Sequence, residues 1–150
     1  MSALGVVALV VGILVFVFVV IALVMIPIRR HADRVERELA QELGTGIRRI
    51  AAVRGLGLET LGRGQVRGNG TLALTADELR FRQWVPRREV SIPLAHVVHV
   101  GTERWWLGKT VGRRLLCVRW RVAGGEDAMA WEVRDLEGWL ADLGAVASSG

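Results

Sequence analysis

The sequence predicts an α+β chain, mainly β. A transmembrane helix comes first, followed by about seven short antiparallel strands in a curled, partly open barrel and one C-terminal amphipathic helix. Three observations predict this. No charged residue occurs before Arg29, although the 150 residues include 20 basic and 15 acidic side chains. From Thr71 to Val133, apolar and polar residues alternate in short runs broken by Gly and Pro, the period-two pattern of half-buried strands. Leu136, Trp139, Leu140 and Leu143 then recur at i, i+3, i+4 and i+7, which is one stripe of an α-helix.

The first element is Ala3–Ile28, 26 uncharged residues rich in Val, Leu, Ile and Phe. A bilayer core needs about 20 such residues in a helix, and a helix satisfies its backbone where water is absent. A cleaved signal peptide is disfavoured. The segment is too long, has no Lys or Arg before it, and is followed by Pro27-Ile28-Arg29-Arg30 and not by a small-x-small site. Gly5 and Gly12 lie seven apart, so the close-packing Gly-x-x-x-Gly pattern is missing. Arg29, Arg30, Arg34 and Arg37 follow the segment. Basic flanks stay on the cytoplasmic side, which predicts a single-pass plasma-membrane protein with its N-terminus outside and residues 29–150 in the cytoplasm. A lone cysteine, Cys117, excludes a disulfide framework and suits that compartment.

Residues 29–45 are expected as a juxtamembrane helical linker. Val35, Leu39 and Leu43 recur every four residues among charges, and Gly44 suits a helix end. The domain is expected over 46–144. Ile47–Val53 reads as a first strand, with helical continuation an alternative, and Arg54–Gly70, with six glycines, reads as a loop. Residues 70–75 and 78–85 form a hairpin, because the apolar residues after Thr75-x-x-Glu78 are not helically spaced and a capping box is thereby rejected. Strands follow at Arg88–Ile92, His96–Val100, Leu115–Val122 and Ala128–Val133, with a loop over 102–113 and a turn at Gly124-Gly125. Asp135 is a favourable N-cap for the final helix. Gly144 is its expected stop, and 145–150 its flexible tail.

Three stretches carry a resemblance: Gly70-Thr-Leu-Ala-Leu-Thr-Ala-Asp-Glu-Leu-Arg-Phe81, Val90-Ser-Ile-Pro-Leu94 with Val97-Val-His-Val100, and Trp131-Glu-Val-Arg-Asp-Leu-Glu-Gly-Trp139. With this order of elements, residues 47–143 resemble the pleckstrin-homology-like fold in its bacterial PH and GRAM-like versions. The whole chain looks like the actinobacterial proteins that carry such a domain behind a single span. The resemblance implies lipid, peptide or protein binding, or assembly, and rarely catalysis. Lipid-binding relatives place basic residues in the first strand–strand loop. Here that loop offers Arg54, Arg63 and Arg67 among glycines, without a phosphoinositide signature.

Other motifs fail on context. Gly108-Lys109-Thr110 has Glu103 where a phosphate-binding loop needs glycine. Gly62-x-Gly64 is followed by Arg67 and no helix, and Asn69-Gly70-Thr71 reads as a turn, not a glycosylation site. His96 and His99 point to opposite faces of a strand with no third ligand near. Ser91 lacks a nucleophile-elbow context, and Asp77, Glu78, Glu126 and Asp127 sit at turns. No enzyme site, cofactor, metal or small-molecule substrate is expected.

Two basic-aromatic clusters remain, beside the juxtamembrane arginines. Arg104, Trp105, Trp106, Lys109, Arg113 and Arg114 form an aromatic loop in a basic surround, suited to an anionic membrane interface if the tryptophans are exposed and to core packing if they are not. The arginines at 29, 30, 34 and 37 could hold anionic headgroups or only set topology. Arg80, Arg82, Arg87 and Arg88 around Trp84 offer an alternative face for a protein partner or a second copy. Nucleic acid is not expected: residues 69–150 hold 11 basic and 10 acidic groups, so four of the five net positive charges lie before residue 69. The expected function is a membrane-anchored, non-enzymatic binding or assembly module, with an accessory subunit of a larger membrane complex as the alternative.

Overall fold

A helix that is apolar all round has no face to turn toward water. A computed structural model describes residues 3–65 and 67–147, without the side chains of residues 3, 4, 28, 29, 146 and 147. The chain divides into two compact units, Met1–Arg34 and Val35–Gly150. Helix α1 runs Ala3–Leu43. Its apolar part is long enough to cross a membrane, with a mean hydropathy of 3.5 over its best window and none of that window buried. Phe16 and Phe18 are 69% and 73% exposed, a state that lipid tolerates and water does not.

Seven strands form one antiparallel sheet. They are β1 (Arg49–Leu58), β2 (Gly68–Leu74), β3 (Glu78–Gln83), β4 (Arg88–Pro93), β5 (Val97–Glu103), β6 (Leu115–Val122) and β7 (Gly125–Glu132). Helix α2 (Leu136–Ala147) ends the described chain. The strand order is β4-β3-β2-β1-β7-β6-β5, so β1 joins two meanders. It pairs with β2 through Arg49–Gly55 and with β7 through Arg54–Leu58, with a register shift between Gly55 and Leu58. A bulge of this kind bends a strand and sharpens its twist, and here it lets one strand serve both halves.

The glycines of β1 misled the loop assignment. A Cβ on Gly55 would sit 2.7 Å from Met129 Cε and 2.8 Å from Phe81 Cζ. Glycine stands there because the core presses against the backbone, and the strand runs on to Leu58. The hairpin of β2 and β3 and strand β6 form as expected; β7 begins at Gly125, three residues before the expected Ala128, because the turn falls at Ala123-Gly124. Thr75 takes the role that a capping residue would have had, within a turn: its hydroxyl accepts from the amides of Asp77 and Glu78.

The main core lies on one face of the sheet. Leu72 and Leu74 of β2, Leu79 and Phe81 of β3, Leu116, Val118 and Trp120 of β6, and Met129 and Trp131 of β7 meet there. Phe81 and Trp131 pack edge to face, 6.0 Å between centroids. Trp139 and Leu143 of α2 close this cluster. Asp135 caps α2 by accepting from the Gly138 amide at 3.1 Å. Arg49 then ties α2 to β1, donating to Asp135 at 2.8 Å and Asp142 at 2.5 Å and lying over the Trp139 ring at 5.5 Å. Helix α2 runs through Gly144, its expected stop, to Ala147. Residues 148–150, the end of the expected tail, lie outside the described residues.

A second, smaller core lies on the opposite face, where Leu56, Leu115, Cys117, Ala128 and Ala130 meet Trp106. β6 is therefore buried on both faces at Leu115–Val118. Arg119 and Arg121, on the face opposite Val118 and Trp120, are not buried.

Trp139→Ala should destabilise the full chain by about 3–5 kcal/mol in denaturant unfolding followed by tryptophan fluorescence. Trp105→Ala should stay within about 0.5 kcal/mol of wild type; equal costs would contradict this core.

Candidate functional site

Between β5 and β6 the chain makes a tight excursion. Trp106 and Lys109 exchange backbone hydrogen bonds, both 2.8 Å, across Leu107 and Gly108. Both central residues have positive φ, 50° and 75°, as a primed hairpin turn requires. The turn places adjacent side chains on opposite sides. Trp106 is 7% exposed, packs in the second core and donates from Nε1 to the Gly57 carbonyl at 2.8 Å. Trp105 is 66% exposed. The expected aromatic pair thus splits into one core residue and one surface residue.

The excursion is stitched to the β1–β2 loop, 40-odd residues earlier. Lys109 Nζ donates to the Gln65 carbonyl, and Arg67 donates to the Thr110 carbonyl at 3.2 Å. Gln65 in turn holds its own loop, accepting from the Leu58 amide and donating to the Leu58 and Gly62 carbonyls. Lys109, expected as a contact residue, thus also braces the two loops. Arg104, Trp105, Thr110, Gly112, Arg113 and Arg114 line an open groove of about 500 Å³. Arg113 lies 3.6 Å from Glu132, and Arg114 lies 2.6 Å from Glu137. All three arginines remain exposed. Chemically, the groove offers guanidinium donors beside an indole, a combination for phosphate or carboxylate groups at an apolar boundary.

The second expected cluster has a different fate. On the face of β2 and β3 opposite the main core, Thr71 pairs with Arg82 and Ala73 with Arg80. Thr71 and Ala73 are fully buried. The end of α1 reaches this face. Val35 and Leu39, 7% and 0% exposed, belong to neither core cluster, and the acidic side chains beside them reach β3 and the turn after it. Arg82 donates to both oxygens of Glu42, at 3.0 and 2.5 Å, and to Glu89 at 2.7 Å. Arg80 lies 3.7 Å from Glu42, and Arg87 lies 3.7 Å from Glu38. Trp84 donates from Nε1 to Thr71 at 3.0 Å. The arginine face is occupied by the chain's own residues 35–43, which were expected as a linker. Arg88 remains exposed at the start of β4. Of the juxtamembrane arginines, Arg30, Arg34 and Arg37 are exposed, and the Arg29 side chain lies outside the described residues.

The Arg82 hydrogen bond holds the Glu42 carboxyl below its ordinary range, against some desolvation, and the charges of Arg82, Arg80 and Arg87 add to this. Arg82 is raised, first by that same hydrogen bond. Burial, with the charges of Glu103 and Glu59, pushes the Cys117 thiol up to about 11. His96 and His99 are exposed. Among the described residues no group of three or more His, Cys, Asp or Glu is placed to hold a metal ion.

The residues lining the Trp105 groove all lie within 104–114, whereas the contact of the α1 end with β3 joins residues 40 positions apart, for which spacing carries no signal. One clue was available for the second: Glu38 and Glu42 flank the Val35–Leu39 stripe, and Arg80, Arg82 and Arg87 are their opposites.

No family model and no curated protein matches the chain. Its fold is similar to that of a chain in the structure "The 8S snRNP Assembly Intermediate", with TM-score 0.54 and 13% identity, covering 70% of this chain and 84% of that one. It is also similar to the crystal structure of the C-terminal domain of an unknown protein from Leishmania infantum, with TM-score 0.52 and 12% identity, covering 77% and 96%. At such identities the likeness is one of fold.

Glu42 has a lowered pKa when folded, so its contribution is present above the unfolded carboxylate value and is lost as pH falls through the folded one. Amide protection factors over 35–43, referred to the intrinsic exchange rate at each pH, should fall on acidification. Glu42→Gln should exchange faster at neutral pH and lose most of this pH dependence; an unchanged profile would remove Glu42 as the cause. Cys117 should resist alkylation at neutral pH until denaturant exposes it.

Proposed function

We propose that this chain is a membrane-anchored, non-enzymatic binding and assembly module. In this reading α1 spans the plasma membrane of a bacterial cell with its N-terminus outside, and a PH-like domain faces the cytoplasm. The arginines after the apolar segment support that orientation. The closing helix and the sheet of two meanders joined through β1 support the PH-like reading. Cys117, buried with a raised pKa, is unsuited to nucleophilic catalysis.

The observation that carries the binding reading is Trp105. It projects 66% exposed from a turn whose other residues are packed or braced, and arginines 104, 113 and 114 line its groove. Exposing an indole to water in a fixed position is costly unless the interface covers it. An anionic leaflet supplies both an apolar boundary and headgroups for the arginines. The anchor confines the domain near that surface, so weak contact suffices.

Residues 35–150, the second compact unit, should float with vesicles containing anionic lipid, less so at high salt, and not with neutral vesicles. Trp105→Ala combined with Arg114→Glu should reduce flotation about tenfold, and Trp106→Ala should reduce folding instead. Absence of flotation, with a stoichiometric protein recovered on detergent purification of the full chain, would favour the accessory-subunit reading.

A further inference from the structure

The outer face of β2–β4 has the make-up of a receptor for a helix. Its floor is small and flat: Thr71 and Ala73, both fully buried. Its wall is Arg82, 5% exposed in its side chain and oriented by Glu89 at 2.7 Å. Arg80 and Arg87 extend that wall. Seated on it is one turn-spaced pattern, Val35-x-x-Glu38-Leu39-x-x-Glu42. Its apolar members are buried, and each acidic member meets a guanidinium, Glu38 with Arg87 and Glu42 with Arg82 and Arg80. Residues three and four apart share a helix face, so the pattern presents two anchors and two charges along one edge. This is helix-in-groove recognition carried out within a single chain.

The seated helix is held by a short, loosely packed tether. Gly44–Gly46 is a single 3-10 turn. Gly44 has φ +65°, and no heavy atom lies within 4 Å of the position a Cβ would take at Gly44 or Gly46. The exposed ion pair of Glu38 with Arg87 contributes little by itself, so a competing helix has to exceed mainly the Glu42–Arg82 contact and the burial of Val35 and Leu39.

We propose that this face is a recognition groove for an acidic amphipathic helix of the pattern apolar-x-x-Glu-apolar-x-x-Glu, presented by a partner protein, and that the end of α1 occupies it until such a helix displaces it. The groove stands apart from the Trp105 surface and does not depend on the membrane contact proposed there. Because the tail is tethered, it competes at an effective concentration of order millimolar, and a free helix binds visibly only when that competition is weakened.

The probe is a fluorescein-labelled synthetic peptide of residues 31–45, added to the full chain in detergent micelles and followed by anisotropy. Wild type should bind it weakly. Leu39→Glu in the chain should eject the tail and tighten peptide binding by about tenfold or more, the factor by which the tail lowers the open population. Arg87→Glu in that background should weaken binding, and a peptide carrying Glu38→Arg should restore it. The proposal fails if Leu39→Glu keeps the near-ultraviolet tryptophan signal of the folded domain yet gains no peptide binding, or if the Arg87→Glu loss is not restored by the Glu38→Arg peptide. If Leu39→Glu unfolds the domain, Glu38→Gln with Glu42→Gln loosens the tail by charge alone and must show the same gain.

Discussion

A sheet buried on both faces needs two covers, and a single terminal helix can provide one. Most of this architecture follows from that constraint. Helix α2 takes the face of the main core through Trp139 and Leu143. The other face is divided at β1. On the β6–β7 side the excursion after β5 folds back and inserts Trp106. On the β2–β3 side the end of α1 supplies Val35 and Leu39. Each cover also carries polar work that apolar packing alone does not explain: Arg49 for α2, Lys109 and Gln65 for the excursion, and the Glu42–Arg82 pair for the tail.

The two outer covers differ in chemistry because the strands beneath them differ. β6 and β7 present Leu115, Cys117, Ala128 and Ala130, so an indole fills the space and its one polar atom finds a carbonyl. β3 presents Arg80 and Arg82. A guanidinium that loses its water needs carboxylates in bidentate geometry, and Glu42 and Glu89 provide them. Placing one partner on a separate helix makes cover and electrostatics interdependent: without the tail, Arg82 would keep one carboxylate partner and Thr71 and Ala73 would meet water.

The fold was largely legible in the sequence. The apolar segment, the hairpin at Thr75, strands β6 and β7, and α2 with its Asp135 cap each follow from a local pattern that tertiary structure reinforces. Glycines caused the main errors. Gly55 was read as chain flexibility, but it marks the place where Phe81 and Met129 press against the backbone. Gly144 looks like a stop, yet the helix continues through it. The site was half legible. The basic-aromatic composition of 104–114 was visible, but which tryptophan faces out depends on a two-residue turn. The docking of 35–43 onto the arginine face joins residues about 40 positions apart, and no local pattern encodes such a meeting.

Trp105 and Trp106 are neighbours in the chain with opposite fates. A hairpin around Leu107 and Gly108 sends neighbouring side chains to opposite faces, so one indole serves the interior and the other serves the exterior. A change of one residue in the length of this turn would exchange the two assignments, burying the outward residue and expelling the inward one. Substitutions within 105–109 can therefore be mild or severe, but insertions and deletions there cannot be neutral. The spacing of this short segment is under tighter constraint than the identity of most of its residues, because foldedness and surface chemistry are written in the same register.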